Sequence, residues 1–221
     1  MTTGNSRGIT TSQEGVHDKL DELVLKYQQA ENRRPVSAHT QDAYEHTLAW
    51  LGDWQGDIVL DSCCGVGQST ATLAQLYPNA RVIGIDKSAQ RVDKHAHYAS
   101  TQNNYMVVRA DVNDFWRLVR QARWKVIKHY LLYPNPYPKG TQVQKRWHAS
   151  PAMVDLMAIC PHVEVRSNWK IYCQEFAQAA SAYGLSTELK LIAGNDYMTP
   201  FEKKYCESGQ SCWQINCKPS V

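Results

Sequence analysis

The chain lacks long apolar runs, a zinc-type cysteine pattern and a strong excess of charge of either sign. No apolar run approaches the roughly 20 residues that span a bilayer, and the opening MTTGNSRGITTSQEG has no apolar secretory core. The seven cysteines are an odd number, and none belongs to a C-x-x-C pair. We therefore expect a cytoplasmic protein from a reducing compartment, with no membrane span and no metal site.

Acidic residues are also missing from one long window, residues 117–148. This window holds eight Lys or Arg and five interleaved Trp or Tyr, although the net charge of the whole chain is only +3. Cations contact phosphates and aromatic rings stack on bases, so the composition is typical of a nucleic-acid surface. A solvated basic face has the same composition, and charge alone does not separate the two.

Short apolar segments alternate along most of the chain with amphipathic ones that predict helices, among them residues 89–100 and 112–122. This alternation predicts βαβ units and a mostly parallel sheet with helices on both faces. The last two predicted strands suit an antiparallel pair at the edge. The predicted strands are residues 57–61, 80–86, 104–111, 125–134, 162–168, 186–193 and 212–218.

Two helices are predicted before the first strand, over residues 16–30 and 37–51, from their helical spacing of apolar residues. We therefore divide the chain into an N-terminal extension with helices, residues 1–56, and an α/β domain, residues 57–221. Sheets of this kind bind ligands outside the carboxyl ends of their strands.

A glycine-containing loop, LDSCCGVGQST, follows the first predicted strand and opens a helix. Gly65 and Gly67 are one residue apart, and glycines let the backbone turn sharply and approach a ligand closely. Cys63 occupies the position at which a third glycine would complete G-x-G-x-G. The strand-turn-helix context strengthens this otherwise weak motif.

Three acids end three consecutive predicted strands beside this loop: Asp61, Asp86 and Asp111. An acid in the position of Asp86 can accept both hydroxyls of a ribose, and its interval from the glycine loop is the expected one. Asp111 can meet an adenine edge. Each acid alone can also be a helix cap, but the three together favour a nucleotide-type cofactor.

A proline-rich stretch, LLYPNPYPKG (131–140), follows the fourth predicted strand. Prolines at every second position cannot continue a helix or a central strand. The stretch therefore predicts a rigid loop that presents Asn135 and Tyr137, and a rigid loop at a strand end suits a flat, polar substrate.

The glycine loop and the acids resemble the class I S-adenosylmethionine-dependent methyltransferases, whose first loop reads roughly (D/E)-x-G-x-G-x-G. The resemblance covers about residues 57–193 and implies a Rossmann-like, seven-stranded, mostly parallel sheet with an antiparallel edge strand. It implies S-adenosyl-L-methionine as cofactor, with Asp61 and the 63–67 loop near its methionine part, Asp86 on the ribose and Asp111 near the adenine. A nicotinamide-dependent reductase shares the glycine loop but more often begins with three intact glycines.

Other motifs resemble the tRNA (guanine-N7-)-methyltransferases over nearly the whole chain. YPNPYPK resembles their F-P-D-P-W-x-K, and SRGITTSQ (6–13) their R-x-x-T-x-x-Q segment. QKRWH (144–148) resembles a K-R-R stretch, and SNW (167–169) stands where the family has T-D-W. TPFEKKY (199–205) resembles T-x-F-E-x-(R/K), and CWQI (212–215) the closing V-W-D-L strand.

This resemblance assigns roles to residues outside the glycine loop. It implies a catalytic group of Asn135, Tyr137 and Glu202, and it adds Thr199 to the cofactor site. The implied substrate-binding residues are Arg7, Lys139, Lys145, Arg146 and Asn168, with tRNA as partner. The chain departs from the family at three of these positions, because Asn135 and Asn168 replace acids and Tyr137 replaces a tryptophan.

Alternative functions follow from these departures. NPYP resembles the (D/N)-P-P-(Y/F) loop of methyltransferases that act on exocyclic base amines, although the prolines here are not adjacent. A small-molecule methyltransferase of the same fold would not need the acid-free basic window. An RNA-binding protein that has lost catalysis would account for Cys63, Asn135 and Asn168. A monomer and a homodimer are both compatible with the sequence.

Overall fold

The computed structural model describes residues 4–30 and 34–220. No helix in this described part is long and apolar enough to cross a membrane, and no group of three or more His, Cys, Asp or Glu within it is arranged to hold a metal ion. The helices are α1 (Leu20–Gln28), α2 (Ala38–Leu51), α3 (Gln68–Leu76), α4 (Ala89–Val92), α5 (Val112–Ala122), α6 (Ala152–Ile159), α7 (Lys170–Ser181) and α8 (Pro200–Glu207).

Seven strands form one sheet in the order β3-β2-β1-β4-β5-β7-β6. β1 pairs in parallel with β2 and β4, and β2 pairs in parallel with β3. β7 pairs antiparallel with both β5 and β6. The predicted Rossmann-like, mostly parallel sheet with an antiparallel edge is confirmed. The strands are β1 (Ile58–Ser62), β2 (Arg81–Asp86), β3 (Tyr105–Arg109), β4 (Val126–Leu132), β5 (Val163–Ser167), β6 (Leu185–Leu191) and β7 (Trp213–Pro219).

The described chain divides into two compact units. We call residues 34–132 with 158–160 the glycine-loop unit, because it holds that loop. The second unit, residues 4–30, 133–157 and 161–220, holds the proline loop (133–139) and is called the proline-loop unit. The sequence-based division at residue 56 remains a prediction.

The glycine-loop unit is built on four parallel strands. All five residues of β1 are buried, which explains why its three apolar residues, 58–60, are consecutive and do not alternate with polar ones. Helix α5 covers residues 112–122, as the sequence predicts. Its Phe115 ring packs edge-on against Tyr44 of α2, which stacks on Trp124 at a centroid distance of 5.3 Å.

One predicted helix in this unit is mostly wrong. The sequence predicts a helix over residues 89–100, but α4 stops at Val92 and only a short 3-10 turn, His95–His97, follows. Neither piece contains a buried residue. Short helices are stabilised mainly by packing of an apolar face, and this stretch has no such face.

The proline-loop unit contains an additional helix, α8, that the periodicity of the sequence does not reveal. Its start carries ordinary local signals: the Thr199 hydroxyl caps the helix by accepting the Glu202 N–H at 3.0 Å, and Pro200 is the first helical residue. The far end of α8 contacts the beginning of the described chain, because the Gly4 N–H donates to the Glu207 carbonyl.

Candidate active site

The backbone of the glycine loop is left-handed at three positions. Gly65 and Gly67 have φ of +61° and +76°, and Cys63 has φ of +62°. Residues with a Cβ avoid this region at a cost of ~1–2 kcal/mol. Cys63 therefore holds a glycine-type conformation in the position where the motif has its first glycine.

Gly67 is required by packing as well as by its backbone angle. A Cβ at this position would lie 2.5 Å from Nδ1 of His95 and 2.7 Å from a methyl of Val107. The same His95 nitrogen lies 3.0 Å from the Val66 carbonyl oxygen. His95, which the sequence analysis did not single out, thus packs directly against the turn.

Asp61 is a buried carboxylate at the end of β1. Its Oδ2 accepts hydrogen bonds from the hydroxyls of Ser69 and Thr70, at 2.6 and 2.7 Å. Its Oδ1 is buried and accepts no hydrogen bond from the described residues. Burial is the largest cause that raises the pKa of Asp61 to about 6.

Gly84 of β2 makes room for this arrangement. In the strand register Gly84 lies opposite Asp61, and a Cβ there would come within 2.3 Å of the Thr70 hydroxyl oxygen. The sequence analysis missed Ser69, Thr70 and Gly84. The available signal was a glycine inside an otherwise β-branched strand, which often marks a close approach.

Asp86 ends β2 and holds the glycine loop. Its Oδ2 accepts the Gly65 N–H at 3.1 Å, and its Oδ1 accepts the Ser88 N–H at 2.8 Å. The half-exposed Arg91 lies 3.5 Å from Oδ2. A carboxylate has about four acceptor positions, so Asp86 keeps acceptor capacity for a ligand.

Asp111 caps helix α5. Its Oδ1 accepts the backbone N–H groups of Asn113 and Asp114, at 3.0 and 3.2 Å. Its own N–H donates to the Thr40 hydroxyl. The structure thus gives Asp111 the capping role that its position in the sequence also allowed, and an adenine contact remains a prediction.

The proline loop is fixed by its own side chains and by unusual backbone angles. Tyr133 and Tyr137 have φ of +54° and +45°. The exposed Asn135 turns its Oδ1 back to accept the Tyr137 N–H at 3.2 Å. The ammonium of the exposed Lys145 lies 5.8 Å from the centre of the Tyr137 ring, close enough for a weak cation–π contact.

Arg146 anchors this loop from inside the unit. The prediction that Arg146 contacts RNA is corrected, because its side chain is 0% exposed. Nε and Nη2 donate to the Tyr137 carbonyl, and Nη1 donates to Glu175 at 2.6 Å. Nη2 also donates to Gln13, and the guanidinium lies 4.8 Å from the Trp169 ring.

Glu175 of α7 accepts hydrogen bonds from Arg146 and from several groups around it. Its Oε1 accepts from the Gln13 side chain and from the His17 N–H, and its Oε2 also lies 2.9 Å from Nε2 of His148. Although burial acts in the opposite sense, these partners lower the pKa of Glu175 to about 2. Burial lowers the pKa of His148. Because a carboxylate can only accept, Nε2 of His148 donates to Glu175.

Glu202 is buried and paired with a cation. Both of its oxygens accept from Nη1 of Arg166, at 3.0 and 3.2 Å, and Arg166 also contacts Glu164. Burial raises the pKa of Glu202 even though Arg166 lies beside it. Its predicted partner Thr199 is the cap of α8, so both lie at the start of that helix.

The remaining predicted substrate residues lie nearer the surface. Arg7, Lys139 and Lys145 are exposed. Asn168 is half-buried, and its amide donates to the Gln210 side chain at 2.9 Å.

The basic window is less available than its composition indicates. Five of its eight cations belong to the glycine-loop unit and three to the proline-loop unit. Lys125 pairs with Asp57 at 2.7 Å, and Arg117 lies 3.8 Å from Asp114. The buried Arg146 and the mostly buried Arg117 are therefore withdrawn from the predicted nucleic-acid surface, whereas Lys125 stays 69% exposed and its surface ion pair is weak.

The packing of Gly67 gives a stability prediction. Gly65→Ala and Gly67→Ala both place a Cβ at positive φ, which costs ~1–2 kcal/mol. Only Gly67→Ala also drives the Cβ into His95 and Val107, which adds roughly 1–3 kcal/mol. Urea unfolding should therefore show the larger loss for Gly67→Ala, and equal losses in the two variants would contradict the packing argument.

The raised pKa of Asp61 gives a pH prediction. A carboxyl with a raised folded-state pKa contributes stability that is complete below its unfolded value of ~3.9 and is lost as pH rises through about 6. Asp61→Asn removes this titration. The unfolding free energy of the variant minus that of the unsubstituted protein should rise by roughly 2–3 kcal/mol between about pH 4 and pH 7.5. A difference that does not change with pH would count against it.

The buried position of Arg146 gives a third prediction. Arg146→Met leaves Glu175 buried without its main cation, and breaking such a pair costs ~3–5 kcal/mol. The adjacent exposed substitution Lys145→Met should change stability by no more than ~0.5 kcal/mol. Chemical unfolding of both variants makes the comparison, and a small loss in Arg146→Met would show that the guanidinium does not anchor the unit.

Comparison with known proteins identifies the family. A family model described as "Putative methyltransferase" matches residues 55–215, well over half of the chain. A curated relative, the 23S rRNA (uracil(1939)-C(5))-methyltransferase RlmD of Marinomonas posidonica, is 31% identical over 109 residues. These are 48% of this chain and 24% of that protein, so the match spans about a quarter of the relative's length.

Solved structures share the fold. An antibiotic-related methyltransferase superposes with a TM-score of 0.58 at 14% identity, covering 87% of this chain and 97% of that one. The 16S rRNA methyltransferase KamB gives 0.54 at 15% identity, with coverage of 85% and 97%. A 16S rRNA (adenine(1408)-N(1))-methyltransferase from Catenulisporales acidiphilia, solved with cosubstrate S-adenosylmethionine, gives 0.53 at 14% identity, with coverage of 84% and 96%.

The matched range contains both loops described above. It begins before β1 and ends within β7, so it includes the glycine loop, the proline loop and the cap of α8. The chain therefore belongs to the family of the tRNA (guanine-N7-)-methyltransferases, and its cofactor is S-adenosyl-L-methionine.

Proposed function

We propose that this protein transfers the methyl group of S-adenosyl-L-methionine to N7 of a guanosine in cytoplasmic tRNA. The observation that carries the proposal is the proline loop, whose YPNPYPK sequence is anchored by the buried Arg146 through the Tyr137 carbonyl. A loop held in this way presents Asn135 and Tyr137 on a fixed backbone.

The residues of the glycine-loop unit fit the cofactor. Asp61 has a buried Oδ1 with no donor among the described residues, which suits the ammonium of the methionine part. Asp86 keeps acceptor capacity for ribose hydroxyls, and Oδ2 of Asp111 is not used in capping α5. The left-handed turns at Gly65 and Gly67 leave no side chain between backbone and ligand. When bound, the cofactor supplies an electrophilic methyl group on a sulfonium.

The proposed reaction requires little proton transfer by the protein. Guanine N7 carries its lone pair in the ring plane, so no proton has to leave before N7 attacks. Catalysis therefore consists mainly of alignment and electrostatic stabilisation. In the proposal Tyr137 stacks on the base, Asn135 contacts its edge, and Thr199 and Glu202 complete the site.

We expect the replacement of two family acids by Asn135 and Asn168 to slow this reaction. N7 methylation places a positive charge on the purine ring, and nearby carboxylates would stabilise that charge as it develops. Here Asn135 and Asn168 are neutral, and the charge of Glu202 is shared with Arg166. Hydrogen bonds to charged groups contribute ~1.5–3 kcal/mol against ~0.5–1.5 kcal/mol for neutral ones.

Exposed cations of the proline-loop unit support an RNA substrate. Arg7, Lys139 and Lys145 are exposed. Lys139 is the last residue of the loop that we assign to the base, and Lys145 follows it in the chain. The named relatives methylate ribosomal RNA according to their descriptions. If these cations contact phosphates, tRNA binding should weaken steeply as the salt concentration rises. The activity of a small-molecule methyltransferase should depend little on salt.

A second candidate is methylation of an exocyclic base amine. It is favoured by Asn135 itself, an amide followed by Pro136 and the aromatic Tyr137. In that chemistry the amide oxygen accepts from the amine. In the structure this oxygen already accepts the Tyr137 N–H, which leaves it only one further acceptor position and places this candidate second.

Nucleoside mass spectrometry tests the proposal. Total tRNA from a host that lacks 7-methylguanosine is incubated with the protein and labelled S-adenosylmethionine. Label in 7-methylguanosine supports the proposal, and label in a methylated exocyclic amine selects the second candidate. Absence of label, with cofactor binding shown by titration, overturns both and favours a small-molecule acceptor or another RNA, whereas absence of both label and cofactor binding favours an RNA-binding protein without catalysis.

The two asparagines that stand in place of family acids give a gain-of-function prediction. Asn135→Asp restores a carboxylate at the family position, and we expect it to raise the rate of 7-methylguanosine formation by about tenfold, which corresponds to ~1.4 kcal/mol. Asn168→Asp should act in the same direction. Asn79→Asp adds the same charge at an exposed position of the glycine-loop unit and is the matched control. Single-turnover rates with saturating cofactor provide the measurement, and a slower Asn135→Asp variant would mean that the amide is adapted to another acceptor.

A further inference from the structure

Two thiols of the proline-loop unit contact each other at the turn after α8, whose Gln210 accepts a hydrogen bond from the Asn168 amide. Sγ of Cys206, in the last turn of α8, lies 3.4 Å from Sγ of Cys212, which precedes β7. Both cysteines are reduced. A disulfide bond is ~2.05 Å long, so the two sulfurs would need to approach by little more than an ångström.

The turn between the two cysteines holds them together. The Gly209 N–H donates to the Cys206 carbonyl at 2.9 Å, and the Gln210 N–H donates to the Tyr205 carbonyl at 3.1 Å. Gly209 has φ of +74°, which allows the chain to reverse directly after the helix. The proximity of the sulfurs therefore follows from the backbone of the turn.

The two thiols differ in access to solvent. Cys206 is partly exposed, whereas Cys212 is only 1% exposed. A reagent dissolved in water therefore meets Cys206 first, and Cys212 lies within reach to complete the reaction. This asymmetry separates an attacking thiol from a resolving one.

We propose that Cys206 and Cys212 are a redox modification site that forms a reversible disulfide with low-molecular-weight disulfides such as oxidised glutathione. The Cys206 thiolate attacks the reagent, forms a mixed disulfide and releases one thiol. The Cys212 thiolate then attacks the Cys206 sulfur and releases the second thiol. Two protein thiols are oxidised, one reagent disulfide is reduced to two thiols, and the two cysteine protons pass to the released thiolates.

The new bond would act on the segment that docks at this turn. Besides the Gly4 contact with Glu207, the Ser6 N–H donates to the Ser208 hydroxyl, and the Gln210 amide donates to the Ser6 carbonyl. A cross-link across the turn fixes these partners in place. The disulfide is therefore expected to stabilise the docking of residues 4–6, with a rise in Tm of about 5 °C.

Peptide mapping tests the cross-link without any use of methyl transfer. The full chain is equilibrated in glutathione buffers of decreasing reduced-to-oxidised ratio, quenched with acid, alkylated and cleaved after glutamate. Glu207 lies between the two cysteines, so cleavage leaves them on separate peptides joined by the disulfide. We expect this joined pair, a loss of two alkylated thiols, and a rise in Tm that dithiothreitol reverses.

Two serine variants complete the design. Cys206→Ser should abolish both the joined peptides and the rise in Tm, whereas Cys217→Ser, which changes a buried cysteine of β7, should retain them. Glutathione remaining on Cys206, without cross-linking under any ratio, would overturn the proposal. A cross-link of Cys212 to Cys173 or Cys217 instead of Cys206 would overturn it as well. Because these readouts are covalent and thermal, they are independent of whether tRNA is the substrate.

Discussion

The ion pair between Arg146 and Glu175 is the interaction on which most of the proline-loop unit depends. Transfer of both charges out of water costs free energy, and hydrogen bonds to both Arg146 and Glu175 offset that cost. Those hydrogen bonds come from three parts of the chain: the loop at Tyr137, the early segment at Gln13, and the stretch that ends at His148. Neutralising one charge therefore loosens all three together.

The glycine-loop unit uses a buried carboxylate differently. No cation among the described residues forms an ion pair with Asp61, and two hydroxyls from the first turn of α3 donate to one of its oxygens. Its other oxygen accepts no hydrogen bond from the described residues. Burial raises the pKa of Asp61, whereas His148 and Arg146 lower the pKa of Glu175 in spite of its burial. A carboxylate whose acceptor positions are all hydrogen-bonded suits a structural role, whereas a buried carboxylate with an unused acceptor position suits a binding site.

Much of the fold could be predicted from local pattern, because strands, turn glycines and the capping acid at 111 leave short-range signals. The burial of Arg146 could not be predicted. Its neighbour Lys145 is cationic and exposed, while its partner Glu175 lies 29 positions later, and nothing local indicates the pairing. Glu202 is a similar case, because its pairing with Arg166 depends on a helix and a strand that meet only in the folded unit. The start of α8, by contrast, carries a local signal in Thr199 and Pro200, although the sequence analysis did not predict this helix.

The proline-loop unit is discontinuous along the chain, and this affects how the protein can fold during synthesis. Its first residues find their partners about two hundred positions later, at Glu207 and Ser208. Contacts of such high sequence separation form slowly because a long loop has to close first. On the ribosome the early segment emerges first but docks last, after the whole glycine-loop unit has been made. The glycine-loop unit, apart from residues 158–160, is contiguous and can begin to fold while the other is still waiting for α8.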